Sequence, residues 1–192
     1  TLEKVIEISP DRISVFNYAH LPHRFKPQRR INAAQLPAPS VKLEIFEYIV
    51  EMLQNDGYLY IGMDHFAKPD DELAVAQLND CLHRNFQGYT THEEYELIGV
   101  GVSSIGSLNG QYHQNVRDLE PYYEALDKDQ LPSWRGVGTT FDDKVRKKVI
   151  FDLICHFETK KTEVERNFNI VFDDYFAKEI RLLSDFVSDG LV

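Results

Sequence analysis

At 192 residues and 43% apolar, the chain is long enough to bury a core in one domain or two small ones. Its formal net charge of −10 argues against nonspecific binding to nucleic acid or an anionic membrane. No apolar run approaches the roughly 18–20 residues that span a bilayer, so membrane insertion is not expected. The two cysteines, Cys81 and Cys155, lie 74 positions apart. They match no metal motif and suggest reduced thiols in a cytoplasmic protein.

Thr1 is not a natural start and Val192 ends without a tail, so the chain is expected to be cut at both ends. Leu2, Val5 and Ile6 are spaced as on one helix face, and Ser9-Pro10-Asp11 ends that helix. Ile13–Phe16 reads as a strand with Asn17–His20 as its exit. Residues 21–39 form a polar loop with four prolines and the cations Arg24, Lys26, Arg29 and Arg30. Ser40 is the expected N-cap of a helix with a buried stripe of Val41, Ile45, Ile49 and Met52, widened by Phe46 and Leu53 and stopped by Gly57.

Tyr58–Gly62 reads as a buried strand that empties into Met63-Asp-His-Phe66. Pro69–Glu72 leads into an amphipathic run, Leu73 to Leu82. His83–Thr91 is polar and aromatic, with no helical or strand period. Leu97–Ile105 reads as a second apolar strand, and Gly106–Gly110 as a turn. Strand, helix, strand in alternation is the pattern of parallel βα units. Asp118–Asp127 is a short helix, and Trp134–Gly138 is extended. The composition changes near Thr139. Val145, Val149, Leu153 and Phe157 then recur at helix spacing, followed by helices at Lys161–Phe168 and Phe172–Phe186. A domain boundary is therefore expected near residue 138, giving domains 1–138 and 139–192.

Three segments carry a family resemblance. They are Gly62-Met-Asp-His-Phe-Ala-Lys-Pro-Asp-Asp-Glu-Leu73, Leu82-His-Arg-Asn-Phe-Gln-Gly-Tyr-Thr-Thr91 and Gly99-Val-Gly-Val-Ser-Ser-Ile105, with Asp11–Pro22 extending the likeness toward the start. Together they resemble the oxygen-independent coproporphyrinogen III oxidases, radical S-adenosylmethionine enzymes of haem synthesis. The resemblance implies an α/β fold: the second half of a partial, TIM-like (β/α) barrel followed by a small, mainly helical C-terminal domain. It also implies a 4Fe–4S cluster and S-adenosylmethionine as cofactors, coproporphyrinogen III as substrate, and an electron donor and an acceptor as partners. In that chemistry two propionates are oxidatively decarboxylated to vinyl groups, giving protoporphyrinogen IX.

The same resemblance places adenosylmethionine contacts at Ala19, through its backbone, and at Ile105, where an apolar side chain packs on adenine. Taken without it, Ala19 is a packing position and Ile105 an ordinary core residue at a strand end. A substrate with four carboxylates calls for Arg donors, because the guanidinium fork matches a carboxylate. Arg24, Arg29, Arg30 and Arg84 are therefore candidates; Arg84, in a segment with His83, Gln87 and Tyr89, comes first, with Arg24 or Arg29 as further propionate ligands, and each arginine also reads as a solvated loop charge.

Asp64-His65, with His20 and His23, is a weak metal motif lacking a specified third ligand, and no metal site is assigned. No residue of the chain is assigned a catalytic role. The cluster needs a CxxxCxxC loop, which this sequence lacks, so the fragment alone is expected to be inactive. Two other readings stand beside the oxidase: a haem-chaperone-like paralogue, against which the His83–Thr91 segment argues, and a non-catalytic binding domain, against which the open edge of a half barrel argues.

Overall fold

The computed structural model describes residues 1–92 and 95–192. The described chain is mixed α/β, with strands and helices interleaved up to Gly138 and helices alone from Phe141 onward. That class and that order are as expected. The chain divides into two compact units, Thr1–Leu82 and His83–Val192.

In the first unit, α1 (Leu2–Ile8) ends at Ser9, whose left-handed backbone (φ 55°) turns the chain toward β1 (Arg12–Ser14). The long helix α2 (Pro39–Asn55) starts one residue before the expected cap. Pro39 takes the first helical position, where its missing N–H costs nothing, and Ser40 falls inside the helix. Its apolar stripe is only half used. Ile49, Val50 and Leu53 pack on the core with Tyr58 and Phe66, while Val41, Leu43, Ile45 and Tyr48 are exposed.

Strand β2 (Leu59–Gly62) is the expected one. The segment after it does not leave the sheet. Gly62 (φ 146°) and Met63 (φ 53°) turn the chain back, and β3 (His65–Ala67) returns as a hairpin partner. Both β1 and β2 pair with β3 antiparallel, in the order β1-β3-β2. This corrects the parallel βα pairing read from alternation. β1 and β2 do run in one direction, but the returning strand β3 lies between them. Helix α3 (Glu72–Leu78) follows, capped by the Asp71 side chain, which accepts from Leu73 N–H at 2.8 Å.

The second unit opens with a hairpin the sequence hid: β4 (His83–Asn85) and β5 (Gly88–Thr90). Strands this short show no alternation. Leu97–Ile105 is not a strand either. Only Leu97 makes a bridge, to Ser107, and β6 begins at Ile105 (Ile105–Leu108). Gly101 (φ 100°) and Ser103 (φ 58°) break the run. The expected turn at Gly106–Gly110 shrinks to Asn109-Gly110, both left-handed (φ 50° and 69°), as a two-residue hairpin requires.

That turn joins β6 to β7 (Gln111–Asn115). Helix α4 (Leu119–Asp127) and then β8 (Ser133–Gly138) complete an antiparallel sheet β6-β7-β8. Helix α5 (Phe141–His156) opens on a capping box between Thr140 and Asp143. Val145 is buried and Val149 packs beside it, but Phe157 is a left-handed C-cap (φ 61°) and Leu153 is exposed, so the expected stripe ends early. Helix α6 (Lys161–Phe168) is as expected. The last predicted helix is broken into α7 (Phe172–Tyr175), α8 (Ala177–Leu182) and α9 (Ser184–Ser188). Val145, Val164, Phe172 and Phe176 form the core of this helical part.

Candidate functional site

Ala19 lies in the loop after β1 and is exposed. The Gln28 side chain clips that loop twice. Its Nε2 donates to Ala19 O at 3.1 Å, and its Oε1 accepts from Leu21 N–H at 2.6 Å. Gln28 sits on a short 3-10 helix, Lys26–Arg30, with Pro27 among its first two positions. Arg29 Nε donates to Pro22 O at 2.9 Å, which commits part of its guanidinium to the loop itself. Arg24 is exposed. Asp64 and His65 converge, with Oδ1 and Nδ1 3.0 Å apart, because Asp64 is in the hairpin turn and not on a strand. Among the described residues no group of three metal-ligating side chains forms.

Arg84, in the second unit, stands directly across from Tyr89 in the β4–β5 hairpin. Its guanidinium carbon lies 4.7 Å from the ring centroid. The Tyr89 hydroxyl donates to Ile154 O at 3.1 Å, so the last turns of α5 fix the ring on which Arg84 rests. Arg84 NH1 is buried and has no acceptor among the described residues. Burying a charged donor without a partner is costly, and the geometry therefore suits an added anion. Cys155 is buried nearby. Desolvation pushes its thiol up to about 11, against the opposing pull of the Arg84 charge. At the hairpin tip, Asn85 Oδ1 accepts from Gln87 N–H at 2.8 Å, and Phe86 packs edge-on to Tyr112 at 5.2 Å.

Ile105 is half-buried at the end of a glycine loop. Ile98 and Val100 of the same loop are 73% and 84% exposed. A Cβ on Gly99 would lie 2.6 Å from Ser104 Oγ and 2.9 Å from the Ile105 carbonyl carbon, so only glycine permits this loop to close against Ile105. Asn115, given no element from the sequence, and Tyr122, expected only on a short helix, hold the loop by hydrogen bonds. The Asn109-Gly110 dipeptide marks the hairpin that carries Asn115, but nothing in the sequence singles out Asn115 itself for this role. The expected sites are thus split between the units, Ala19, Arg24 and Arg29 in the first, Arg84 and Ile105 in the second.

No family model matches the chain. A solved chain does, over all of this sequence and 44% of its own, with a TM-score of 0.95 and 49% identity; it is described as coproporphyrinogen III oxidase (HemN) from Escherichia coli, a radical SAM enzyme. The chain therefore has the fold of part of a radical SAM enzyme. Over its whole length it is homologous to a segment of the oxygen-independent coproporphyrinogen III oxidases. It is 53% identical to that of Pseudomonas aeruginosa, 49% to that of Escherichia coli and 44% to that of Synechocystis. It spans 42% of the length of each of these curated relatives.

That class implies a 4Fe–4S cluster and S-adenosylmethionine in the full-length enzyme. The donor set here does not fit the cluster: there are two cysteines, one buried and with a raised thiol pKa, each in a different unit. The loop at Ile105 does suit the adenosyl group. It offers apolar side chains at the surface and a backbone held close by glycine, and Ala19 offers an exposed backbone.

Proposed function

We propose that this chain is part of an oxygen-independent coproporphyrinogen III oxidase, an oxidoreductase of haem biosynthesis that acts in the cytoplasm. The observation that carries the reading is homology along all 192 residues at 49–53% identity to enzymes of that name. Each reacting propionate would lose a β-hydrogen atom, carbon dioxide and one further electron, and a separate acceptor would take that electron. S-adenosylmethionine, when bound, supplies the hydrogen-abstracting chemistry. Ala19, through its backbone, and Ile105, through its side chain, are each read as a contact of S-adenosylmethionine. The residues of this chain supply no cluster ligand, so the fragment alone is inactive. A domain boundary near residue 138 is supported by the end of β8 at Gly138 and the cap of α5 at Thr140.

Arg84 is the first propionate-binding candidate, because its buried NH1 group has no acceptor among the described residues. Arg24 and Arg29 are weaker candidates: one is solvated and the other is bonded to Pro22. The test is anaerobic turnover of coproporphyrinogen by the full-length protein. Arg84→Ala is expected to raise the apparent KM for coproporphyrinogen by roughly 10–100-fold, the worth of a charge-assisted hydrogen bond, with S-adenosylmethionine affinity unchanged. An unchanged KM would remove Arg84 from the substrate site. Absence of decarboxylation by the reconstituted wild type, with stable retention of haem, would replace the oxidase by the chaperone reading.

A further inference from the structure

Resting on the reading of Ile105 as an adenosylmethionine contact, we propose that Asn115 and Tyr122 are positioning residues, which hold the Gly99–Ile105 loop in the shape that receives the adenosyl group. Asn115 is buried although polar, with 6% of its surface exposed. Its Nδ2 donates to Gly99 O at 3.2 Å and to Gly101 O at 2.9 Å. Its backbone N–H donates to Ser104 O at 2.9 Å. The N–H of Gly101 donates to Tyr122 Oη at 3.0 Å, and that of Ser103 to Val116 O at 2.8 Å. Between Leu97 and Ile105 the loop has no strand ladder, so these bonds replace one.

The loop needs such anchors. Gly101 and Ser103 are in the left-handed region, and Gly99 lies against Ile105 more closely than any side chain allows. A backbone of this kind persists only where its surroundings over-determine it. The exposed Ile98 and Val100, and the half-buried Ile105, take their directions from it. An amide suits position 115 because one NH2 group satisfies two carbonyls at once. Aspartate there would set carboxylate oxygens against the same two carbonyls. Tyr122→Phe removes a single acceptor and keeps the ring, whose edge-on packing with Tyr123 (5.6 Å) is independent of the hydroxyl.

The experiment measures, in the full-length protein, the equilibrium Kd of S-adenosylmethionine, the KM of coproporphyrinogen, and hydrogen exchange of the Gly99–Ile105 amides. Asn115→Asp is expected to raise the Kd roughly tenfold and Tyr122→Phe about threefold, with the coproporphyrinogen KM within about twofold of wild type. Exchange at Gly101 and Ser103 speeds up in both. If Asn115→Asp fails to fold, Tyr122→Phe decides. A Kd unmoved by either variant, while Ile105→Ala weakens binding, overturns the positioning role and leaves the Ile105 reading standing. A Kd unmoved by Ile105→Ala overturns that reading first. Equal losses for both ligands would mark Asn115 and Tyr122 as general structural residues and overturn the proposal.

Discussion

Between Leu97 and Gly138 the chain buries Gly106, Asn115, Tyr122 and Pro132, and all six residues of β8 are exposed. Between Phe141 and Phe176 it buries Val145, Cys155, Val164, Phe172 and Phe176. The first stretch is held by hydrogen bonds from side chains to loop backbone, the second by packing of apolar side chains. Apolar burial has no preferred direction and contributes most of the free energy. Hydrogen bonds add little each but fix orientation. The division of labour follows: the helices stabilise, and the clamped loop sets the direction of Ile98, Val100 and Ile105.

The largest expected effect breaks the helical side of this comparison. Phe176 is 5% exposed and packs on Phe172, with centroids 4.7 Å apart. Phe176→Ala is expected to destabilise by about 3–5 kcal/mol, visible as a lower urea midpoint. A loss as small as that of a surface substitution would show that packing is not what holds this part. Next in size is the helix cap. Thr140→Ala removes the hydroxyl that accepts from Asp143 N–H and should cost about 1 kcal/mol by the same measurement. Neither change should alter S-adenosylmethionine affinity, whereas Asn115→Asp should alter it with a smaller loss of stability.

The helical side was the more legible in the sequence, for a physical reason. Val145 and Val149 recur at helix spacing, and α6 needs no partner to be recognised. The β side depended on contacts distant in sequence. Three-residue strands at His83 and Gly88 carry no period, and the apolar run Leu97–Ile105 mimicked a strand, although Gly101 and Ser103 adopt positive φ within it. Arg84 was identifiable by type and by resemblance. Its pairing with Tyr89 and its buried N–H emerge only from register. Asn115 carried no sign of its role, because two glycine carbonyls fourteen and sixteen residues away define it.

The smallest effect sharpens the comparison from its exposed edge. Arg146 bridges Glu179 at 2.7 Å and Asp142 at 2.9 Å, and the Tyr175 hydroxyl donates to Asp142 at 2.6 Å. The Tyr175 hydrogen bond, then Arg146, holds Asp142 below its ordinary 3.8. Arg146 does the same to Glu179, below its ordinary 4.5. Because both folded values are depressed, the stabilisation is complete above the unfolded values and is lost as the pH falls through the folded ones. Wild-type Tm should therefore drop more steeply between about pH 5 and about pH 3 than that of Arg146→Gln. At neutral pH the two should melt within a few degrees of each other, since exposed ion pairs contribute little. Parallel Tm curves across the acid range would remove this network from the stability of the helices.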